Sequence, residues 1–551
     1  MKRREKAPSP PPAPAENPGE ARRRARRLTW TVLLLFAAAL RFRDFFAPLA
    51  YDEIWSLSEF ARLPAWRLFT DLALPNNHPL NSLYLKLLTG FSAPLSALRL
   101  HSFAAGMLSI PLAGAAAFGV WRSRRAACWA ALFLALSAPA AAYSQLARGY
   151  ALQLMFLLLY SAGLAWSGGL RKLLPSRLGM LPECAILAGA AGAMVSLPSS
   201  PIFLGAATVA ALVLRRPAPP KRSAAIAVAA AAVLSLAYLG INFAALRSAQ
   251  AWGECFTGAA GFLAFCGRTW RETTPFALLP LFLAAVVLKP RRAAPLLLAA
   301  ALILLSAQAT RGGPPRVYLP LAALAAILAG GGAAALCRRL AGSRRFLGAI
   351  VSLALAAAGF LELAPRWREP DWCARFAAVR KFPAETLVVH RATSGLPLMW
   401  NNQPEIFEDY LVRIASPGLC RLLTDAPAGE INGMIDGGEE RFALEVPGRP
   451  EETEAGGMRE YALRGIPAEE LASLPPGTPL LAVLPPGAPE RRALALRILA
   501  RCGRFLELNP WLNLAPPGGA LVAAGIAKDP AVLREIGSEA RFFVIGDGAK
   551  D

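Results

Sequence analysis

Long Ala/Leu/Val/Phe runs separated by short Arg/Lys knots constrain this chain more than any other feature of its sequence. About 20 apolar residues cross the roughly 30 Å hydrocarbon core of a bilayer as one helix. Runs of that order lie near residues 28–47, 97–120, 126–143, 149–168, 179–197, 201–214, 223–246, 275–288, 293–309, 317–336 and 346–362, the sixth and eighth being short. The sequence therefore predicts a polytopic α-helical membrane protein of about eleven spans. The knots test the count. They fall at Arg22–Arg27, Arg122/Arg124/Arg125, Arg171/Lys172/Arg177, Arg215/Arg216/Lys221/Arg222, Lys289/Arg291/Arg292 and Arg338/Arg339/Arg344/Arg345. Cytoplasmic loops are enriched in Lys and Arg. Eleven spans with the N-terminus inside place every knot on the cytoplasmic side, and one span more or fewer would break the alternation.

Composition agrees. Charged residues make up 17% of the chain, against about 25% in soluble proteins. The net charge of +22 is used as topology signal, and no aromatic-basic interleaving suggests nucleic acid. Residues 1–27 read as a disordered cytoplasmic Pro/Arg-rich tail, with no cleavable signal after it. Residues 28–362 form the membrane half, with an outer loop at 48–96. After Glu362, carboxylates and Pro-Gly punctuation become frequent. An odd number of spans exports the C-terminus, so residues 363–551 are expected as an extracytoplasmic mixed α/β domain. Within it, Thr386–His390 and Pro479–Val483 read as buried strands and Pro489–Cys502 as a helix. Cys255 and Cys266 share one outer loop, where an oxidising compartment would allow a disulfide. No Cys/His spacing suggests zinc.

Between Asp44 and Glu362 every carboxylate except Glu183 falls at or beyond the outer end of a span. A charge at mid-membrane costs about 2.5–3.5 kcal/mol, which explains avoidance of the hydrocarbon but not concentration on one face. That face reads as a working surface. Its first cluster is Tyr51-Asp52-Glu53. Sequence neighbours cannot point the same way on a helix, so the two carboxylates have separate jobs. One could be a general base. The other could cap the helix after it or pair with Arg41 or Arg43, and both could simply serve the helix dipole. Asn76-Asn77-His78-Pro79-Leu80-Asn81 follows, rich in donors and acceptors that suit a polyol, or else an Asn/Pro turn. Of the other two histidines, His101 and His390 have no comparable setting. Two outer turns carry arginines, Tyr143-Ser144-Gln145-Leu146-Ala147-Arg148-Gly149-Tyr150 and Arg311-Gly312-Gly313-Pro314-Pro315-Arg316-Val317-Tyr318. A guanidinium matches phosphate oxygens bidentately, and its alternative here is snorkelling to headgroups.

Tyr51-Asp52-Glu53, Asn77-His78-Pro79, Ala97-Leu98-Arg99-Leu100, Ser144–Tyr150 and Arg316-Val317-Tyr318-Leu319-Pro320 occur in this order. The ordered set resembles the GT-C membrane glycosyltransferases of the dolichyl-phosphate-mannose protein mannosyltransferase and aminoarabinose transferase superfamily. The resemblance is strong over residues 28–165, thinner to 362 and absent beyond. It implies a GT-C-like fold and inverting sugar transfer from a polyprenyl-phosphate donor outside the cytoplasmic membrane. It also implies that Asp52 is the catalytic base and that Arg148 and Arg316 handle donor phosphate. Leu80, Leu146 and His101 depart from the common pattern, which bears on acceptor type and metal use.

The expectation is an integral-membrane glycosyltransferase in a bacterial inner membrane. Asp52 and Glu53 are its catalytic pair. Asn77, His78, Tyr150 and Tyr318 bind substrate, while Arg148 and Arg316 bind phosphate. No cofactor is assigned, and a divalent cation on Glu53 and His78 is an option. The partners are a polyprenyl-phosphate sugar, a glycan, lipid or protein acceptor, and membrane lipids. The rival is a transporter or lipid flippase, which would show internal repeats and polar groups at mid-membrane.

Overall fold

The computed structural model describes residues 18–47, 49–72, 77–89, 95–167, 180–214, 222–249, 256, 258–340, 344–367, 383, 385–389, 412–424, 429–434, 441–445, 451–452, 459–508 and 520–546. Asn76, Cys255, Cys373 and His390 lie outside these, so the expected Cys255–Cys266 bridge lies outside the described residues too.

The first helix, α1, spans Pro18–Phe42. The expected tail is thus helical from Pro18, and the knot Arg22–Arg27 rides on the helix. Ala and Arg are strong helix formers, Glu20 sits in the first turn, and the apolar run supplies the nucleus. After α2 (Tyr51–Trp55) and α3 (Pro79–Thr89) comes the long α4 (Leu95–Trp121). The run expected as one span over 126–143 is broken into α5 (Arg124–Ala135) and α6 (Ala138–Tyr143). Pro139 cannot donate into a continuing helix. The Ala135 carbonyl, whose helical donor would have been Pro139, accepts from Arg41 at 3.1 Å, and the Leu134 carbonyl, already bonded to the Ser137 amide, accepts from it at 3.4 Å.

Next are α7 (Tyr150–Ser167), α8 (Leu181–Ser196) and α9 (Ser200–Leu214). They are followed by α10 (Arg222–Ile241), α11 (Phe243–Ala249) and α12 (Gly258–Thr273). The helical half closes with α13 (Leu279–Leu288), α14 (Pro290–Thr310), α15 (Pro320–Arg339) and α16 (Arg344–Leu363). Each expected span falls on one of these helices or on a broken pair. Six of them (α4, α7, α10, α14, α15, α16) are long and apolar enough to cross a membrane, or seven if α12 and α13, bent by 82°, act as one. The expected count of eleven spans is therefore not confirmed, since α5, α8, α9 and α13 fall short of about 20 residues. The chain is a multi-pass helical membrane protein. Exposed Val233, Leu236 and Ile241 on α10 and Phe346 and Ile350 on α16 form its apolar exterior.

At the centre lies α15, almost wholly buried, with the run Ala329-Gly330-Gly331-Gly332-Ala333. Small residues let backbones approach closely where packing drives association. A Cβ on Gly330 would stand 2.7 Å from the Ala130 amide nitrogen of α5, and one on Gly331 would enter the Trp121 ring.

Beyond Trp367 the described chain is dominated by one ten-stranded sheet, forming a half-barrel. Its strands are β1 (Thr386–Val389), β2 (Arg421–Thr424), β3 (Glu430–Met434), β4 (Arg441–Glu445) and β5 (Glu451–Glu452). They continue with β6 (Arg459–Ile466), β7 (Thr478–Leu484), β8 (Gly503–Glu507), β9 (Leu521–Ala527) and β10 (Arg541–Gly546). The order is β1-β2-β6-β10-β7-β9-β8-β3-β4, with β5 on β6 and only β1–β2 parallel. Helix α17 spans Pro489–Cys502, the bounds read from its pattern. Leu481 and Val483 of β7 enter one core while Leu480, Ala482 and Leu484 meet α17 in the other. Burial on both faces explains the unbroken apolar run of β7.

A Cβ on Gly332 would meet the Leu281 carbonyl oxygen, whereas Gly205 has nothing within 4 Å. Gly332→Ala is expected to destabilise by about 1–3 kcal/mol through overpacking, despite Ala being the better helix former by about 1 kcal/mol. Gly205→Ala should be neutral or stabilising. Thermal unfolding in detergent checks the opposite signs.

Candidate active site

Three short segments meet at one end of the helices: α2, the turn between α6 and α7, and the 3-10 turn Pro315–Tyr318 before α15. Asp52 and Glu53 leave α2 in different directions. Glu53 is fully buried. Its Oε1 accepts from Arg99 Nε at 2.8 Å and the Ala147 amide at 2.6 Å. Its Oε2 accepts from Arg99 Nη2 at 2.6 Å and the Ala50 amide at 2.7 Å. Arg99 Nη1 in turn donates to the carbonyls of Asp44, Phe45 and Ala47. The partner of Glu53 is therefore neither Arg41, which serves the α5 break, nor Arg43, which faces Asp44 at 3.8 Å.

Asp52 keeps 25% of its side-chain surface exposed, and its Oδ2 faces Arg148 Nη2 at 3.3 Å and Arg316 Nη2 at 3.8 Å. Arg148 is buried and also donates from Nη1 to the Asp52 carbonyl at 2.8 Å and to Ser56 Oγ at 3.2 Å. Ser102 Oγ donates to the Arg148 carbonyl at 3.1 Å. The Arg148 guanidinium lies 5.7 Å from the Tyr150 ring centroid. Arg316 is more open, at 38% of its side-chain surface. Tyr150 and, more weakly, Asp52 and Tyr143 raise its pKa against the opposing effect of burial.

His78, in the loop before α3, is fully buried, with its ring edge-on to Tyr150 at 4.8 Å. The Gly149 amide donates to Nδ1 at 2.8 Å, so the neutral ring carries its proton on Nε2. That Nε2 has no partner among the described residues. Gly149 permits this approach, since a Cβ there would stand 2.8 Å from His78 Cβ. Burial first, then the charges of Arg148 and Arg316, hold the imidazole well below its ordinary 6.5.

The structure thus brings together Asp52, Arg148, Arg316, Tyr150 and His78, as the sequence leads one to expect. Of the other expected site residues, Glu53 and Asn77 spend their polar atoms on the fold, and Tyr318 packs its ring in the interior. Glu53 has two bonds on each oxygen and cannot serve as a base. Asn77 is buried, its Nδ2 donating to the Leu68 and Asp71 carbonyls at 3.0 and 2.7 Å, its Oδ1 accepting from Ser82 at 3.1 Å. Tyr318 is buried with its ring against Phe265 at 5.5 Å. Glu53 and His78 do not fit a divalent ion either. Every Glu53 lone pair is directed at a donor, and His78 uses its acceptor nitrogen on Gly149. Among the described residues, no group of three or more His, Cys, Asp or Glu could hold a metal ion. The role of Arg99 escapes a reading by motif alone. An arginine inside an apolar span with no nearby acid in sequence is itself the signal.

A scan against protein-family models gives no match, and neither does a search of curated proteins. Solved structures of similar fold include ArnT from Cupriavidus metallidurans in the apo state, 16% identical over 73% of this chain and 94% of that one, with a TM-score of 0.43. ArnT bound to undecaprenyl phosphate aligns at 16% identity over 72% and 93%, with a TM-score of 0.38. The oligosaccharyltransferase of Archaeoglobus fulgidus in the apo form is 13% identical over 94% of this chain and 88% of that one, again with a TM-score of 0.43. Both proteins are GT-C superfamily members. The likeness is one of fold alone, and the reading of function rests on the site's own geometry.

Breaking a buried ion pair by removing one partner costs about 3–5 kcal/mol. Arg99→Met alone is expected to lose that much, and Glu53→Leu/Arg99→Met should recover part of it in thermal unfolding. Separately, the unfolded chain binds more protons than the native one below His78's ordinary value of 6.5. Stability therefore falls as pH drops from 6.5 toward the depressed native value. His78→Gln should flatten that fall, and an unchanged slope would place its origin elsewhere.

Proposed function

We propose that this chain is an integral-membrane glycosyltransferase that moves a sugar from a polyprenyl-phosphate carrier to an acceptor hydroxyl. The observation that carries the reading is the convergence of Arg148 and Arg316 on one oxygen of Asp52, at 3.3 and 3.8 Å. Two guanidiniums focused on one oxyanion make a ready phosphate cradle. The Asp52 carboxylate stands where a phosphate oxygen of the donor would sit.

In this reading the donor phosphate takes over the guanidiniums when it binds. Asp52, relieved of both ion pairs but still fixed by α2, turns to the acceptor. Its carboxylate takes the hydroxyl proton as the acceptor oxygen attacks the anomeric carbon. The bond from that carbon to the phosphate oxygen breaks in the same displacement, with inversion, and polyprenyl phosphate leaves on Arg148 and Arg316. These arginines stabilise the charge gained by the leaving group, which is where preorganised donors count most. His78 Nε2–H, neutral and without a partner among the described residues, is a further donor to substrate. Glu53 and Asn77 position the site without touching substrate. In this reading the site lies on the outer face of a bacterial cytoplasmic membrane, since α4 runs from Arg99 beside the site to the basic knot Arg122/Arg124/Arg125 at its other end. The acceptor is a glycan, lipid or protein hydroxyl.

The test is release of polyprenyl phosphate from a polyprenyl-phosphate sugar by purified protein. Asp52→Asn should lower the rate by about 10²–10⁴, the usual value of a general base, with the fold intact by thermal unfolding. A folded variant at near wild-type rate would show that Asp52 is not the base. No turnover of any such donor by the wild type would remove the transferase reading altogether.

A further inference from the structure

Arg148 stands between the end of α6 at Tyr143 and the start of α7 at Tyr150, so no helical ladder sets its backbone. Side chains hold it instead. The peptide joining Arg148 to Gly149 is gripped on both edges. Its carbonyl accepts from Ser102 Oγ at 3.1 Å, and its N–H donates to His78 Nδ1 at 2.8 Å. Ser102 lies three residues after Arg99 on α4, so the two share a face of that helix. One face of α4 therefore fixes Ala147 through Arg99 and Glu53, and Arg148 through Ser102.

The hold continues into His101, a residue to which the sequence alone gives no role. His101 Nε2 lies 2.7 Å from Asn81 Oδ1 and 3.2 Å from Ser102 Oγ. Ser102 spends its proton on the Arg148 carbonyl and Asn81 Oδ1 can only accept, so Nε2 carries a hydrogen shared by both oxygens. Asn81 belongs to α3 and follows His78 by three residues, which closes the circuit back to the Gly149 amide. Asn81 and Ser102 are fully buried. The Tyr84 ring, 4.2 Å from that of His101, braces the imidazole, and its hydroxyl donates to the Ala97 carbonyl at 2.8 Å. Docking of α3 on α4 does not need this circuit, since Leu85 and Leu98 already share one buried apolar cluster. What the circuit adds is rigidity at the peptide it grips.

We infer that Asn81, His101 and Ser102 form a positioning relay, which sets the Arg148–Gly149 peptide and through it the Arg148 guanidinium facing Asp52. The catalytic consequence rests on the transferase reading, whereas the hold on the peptide does not.

The experiment uses the full chain in detergent. His101→Phe keeps a ring beside Tyr84 but removes the Nε2–H, leaving the Asn81 oxygen buried without its donor, and should lower both melting temperature and kcat. Asn81→Leu/His101→Phe removes both partners, and an apolar pair of similar shape can be nearly neutral for stability. The melting temperature should then return toward wild type while kcat for polyprenyl phosphate release stays about tenfold to 10²-fold down, the effect of a misplacement of about 1 Å. His101→Gln offers an amide N–H in place of the Nε2–H and should recover most of the rate. Recovery of kcat along with melting temperature in the double variant would reduce the relay to a structural contact. A His101→Gln rate as low as that of His101→Phe would overturn the hydrogen bond as its basis. Hydrogen exchange of the Gly149 amide needs no donor substrate. It should quicken by about fivefold or more in Asn81→Leu/His101→Phe, and unchanged exchange would overturn the relay whether or not the wild type turns over a donor. Quickened exchange in a protein that turns over no donor would uphold the hold on the peptide and strike the transferase reading alone.

Discussion

Glu53 and Arg99 meet in a two-pronged ion pair from which the geometry of the whole site follows. The pair joins four pieces of chain: α4 through Arg99, α2 through Glu53, the segment 44–50 through its carbonyls and the Ala50 amide, and the turn 144–149 through the Ala147 amide. A buried pair of this kind adds little net stability, because desolvation offsets most of the Coulombic gain. What it fixes is register. Glu53 is bonded to Ala147, and the residues beside them are Asp52 and Arg148. Locking one rung places the adjacent rung, so the carboxylate and the guanidinium that face the cleft are set by a contact that substrate never reaches.

The same economy governs the other charges of this half. Arg41 caps the carbonyls where α5 stops, a favourable place for a cation at a helix C-terminus. That cap lets the chain bend into α6 and present Tyr143 and the arginine turn beyond it. The rigid side of the arrangement comes from α15, whose glycines admit α5 and Trp121 at backbone distance. Arg316 sits in the turn that opens α15, so the most buried helix carries the more exposed of the two arginines that face Asp52.

Much of this was legible in the sequence, and the failures share one cause. Hydropathy located most helices of the membrane half, though not α2, α3 or α12, because burial in lipid and burial in protein demand the same apolar runs. For that reason it could not tell a full crossing from the shorter α5, α8 and α9, and it missed the break before Pro139. On the site, the placing of charges at span ends suggested that Asp52, Arg148 and Arg316 share one face, and the structure brings the three together. It could not show whether a polar side chain's bonds are already used. Asn77 and Glu53 carry the same groups a substrate-binding residue would, yet every acceptor of Glu53 is taken by the fold. Arg99 lay in a motif but had no role, since its partner stands 46 positions away.

Charge balance gives a reason for the Asp52 geometry that goes beyond proximity. In the proposed reaction the bound donor is a phosphodiester, so the site holds two guanidiniums against one carboxylate and one phosphate charge. After transfer, Asp52 carries the acceptor's proton and is neutral, while the leaving phosphate has gained the charge that Asp52 gave up. The sum is the same on both sides of the step, and only its location changes. Little protein reorganisation is then needed, which is the condition under which fixed dipoles and cations lower a barrier. A positively charged His78 would break that balance, and its burial beside Arg148 and Arg316 keeps it neutral. The pairing of Asp52 with Arg148 and Arg316 is, in this view, the same electrostatic arrangement with the carboxylate in the place of the phosphate.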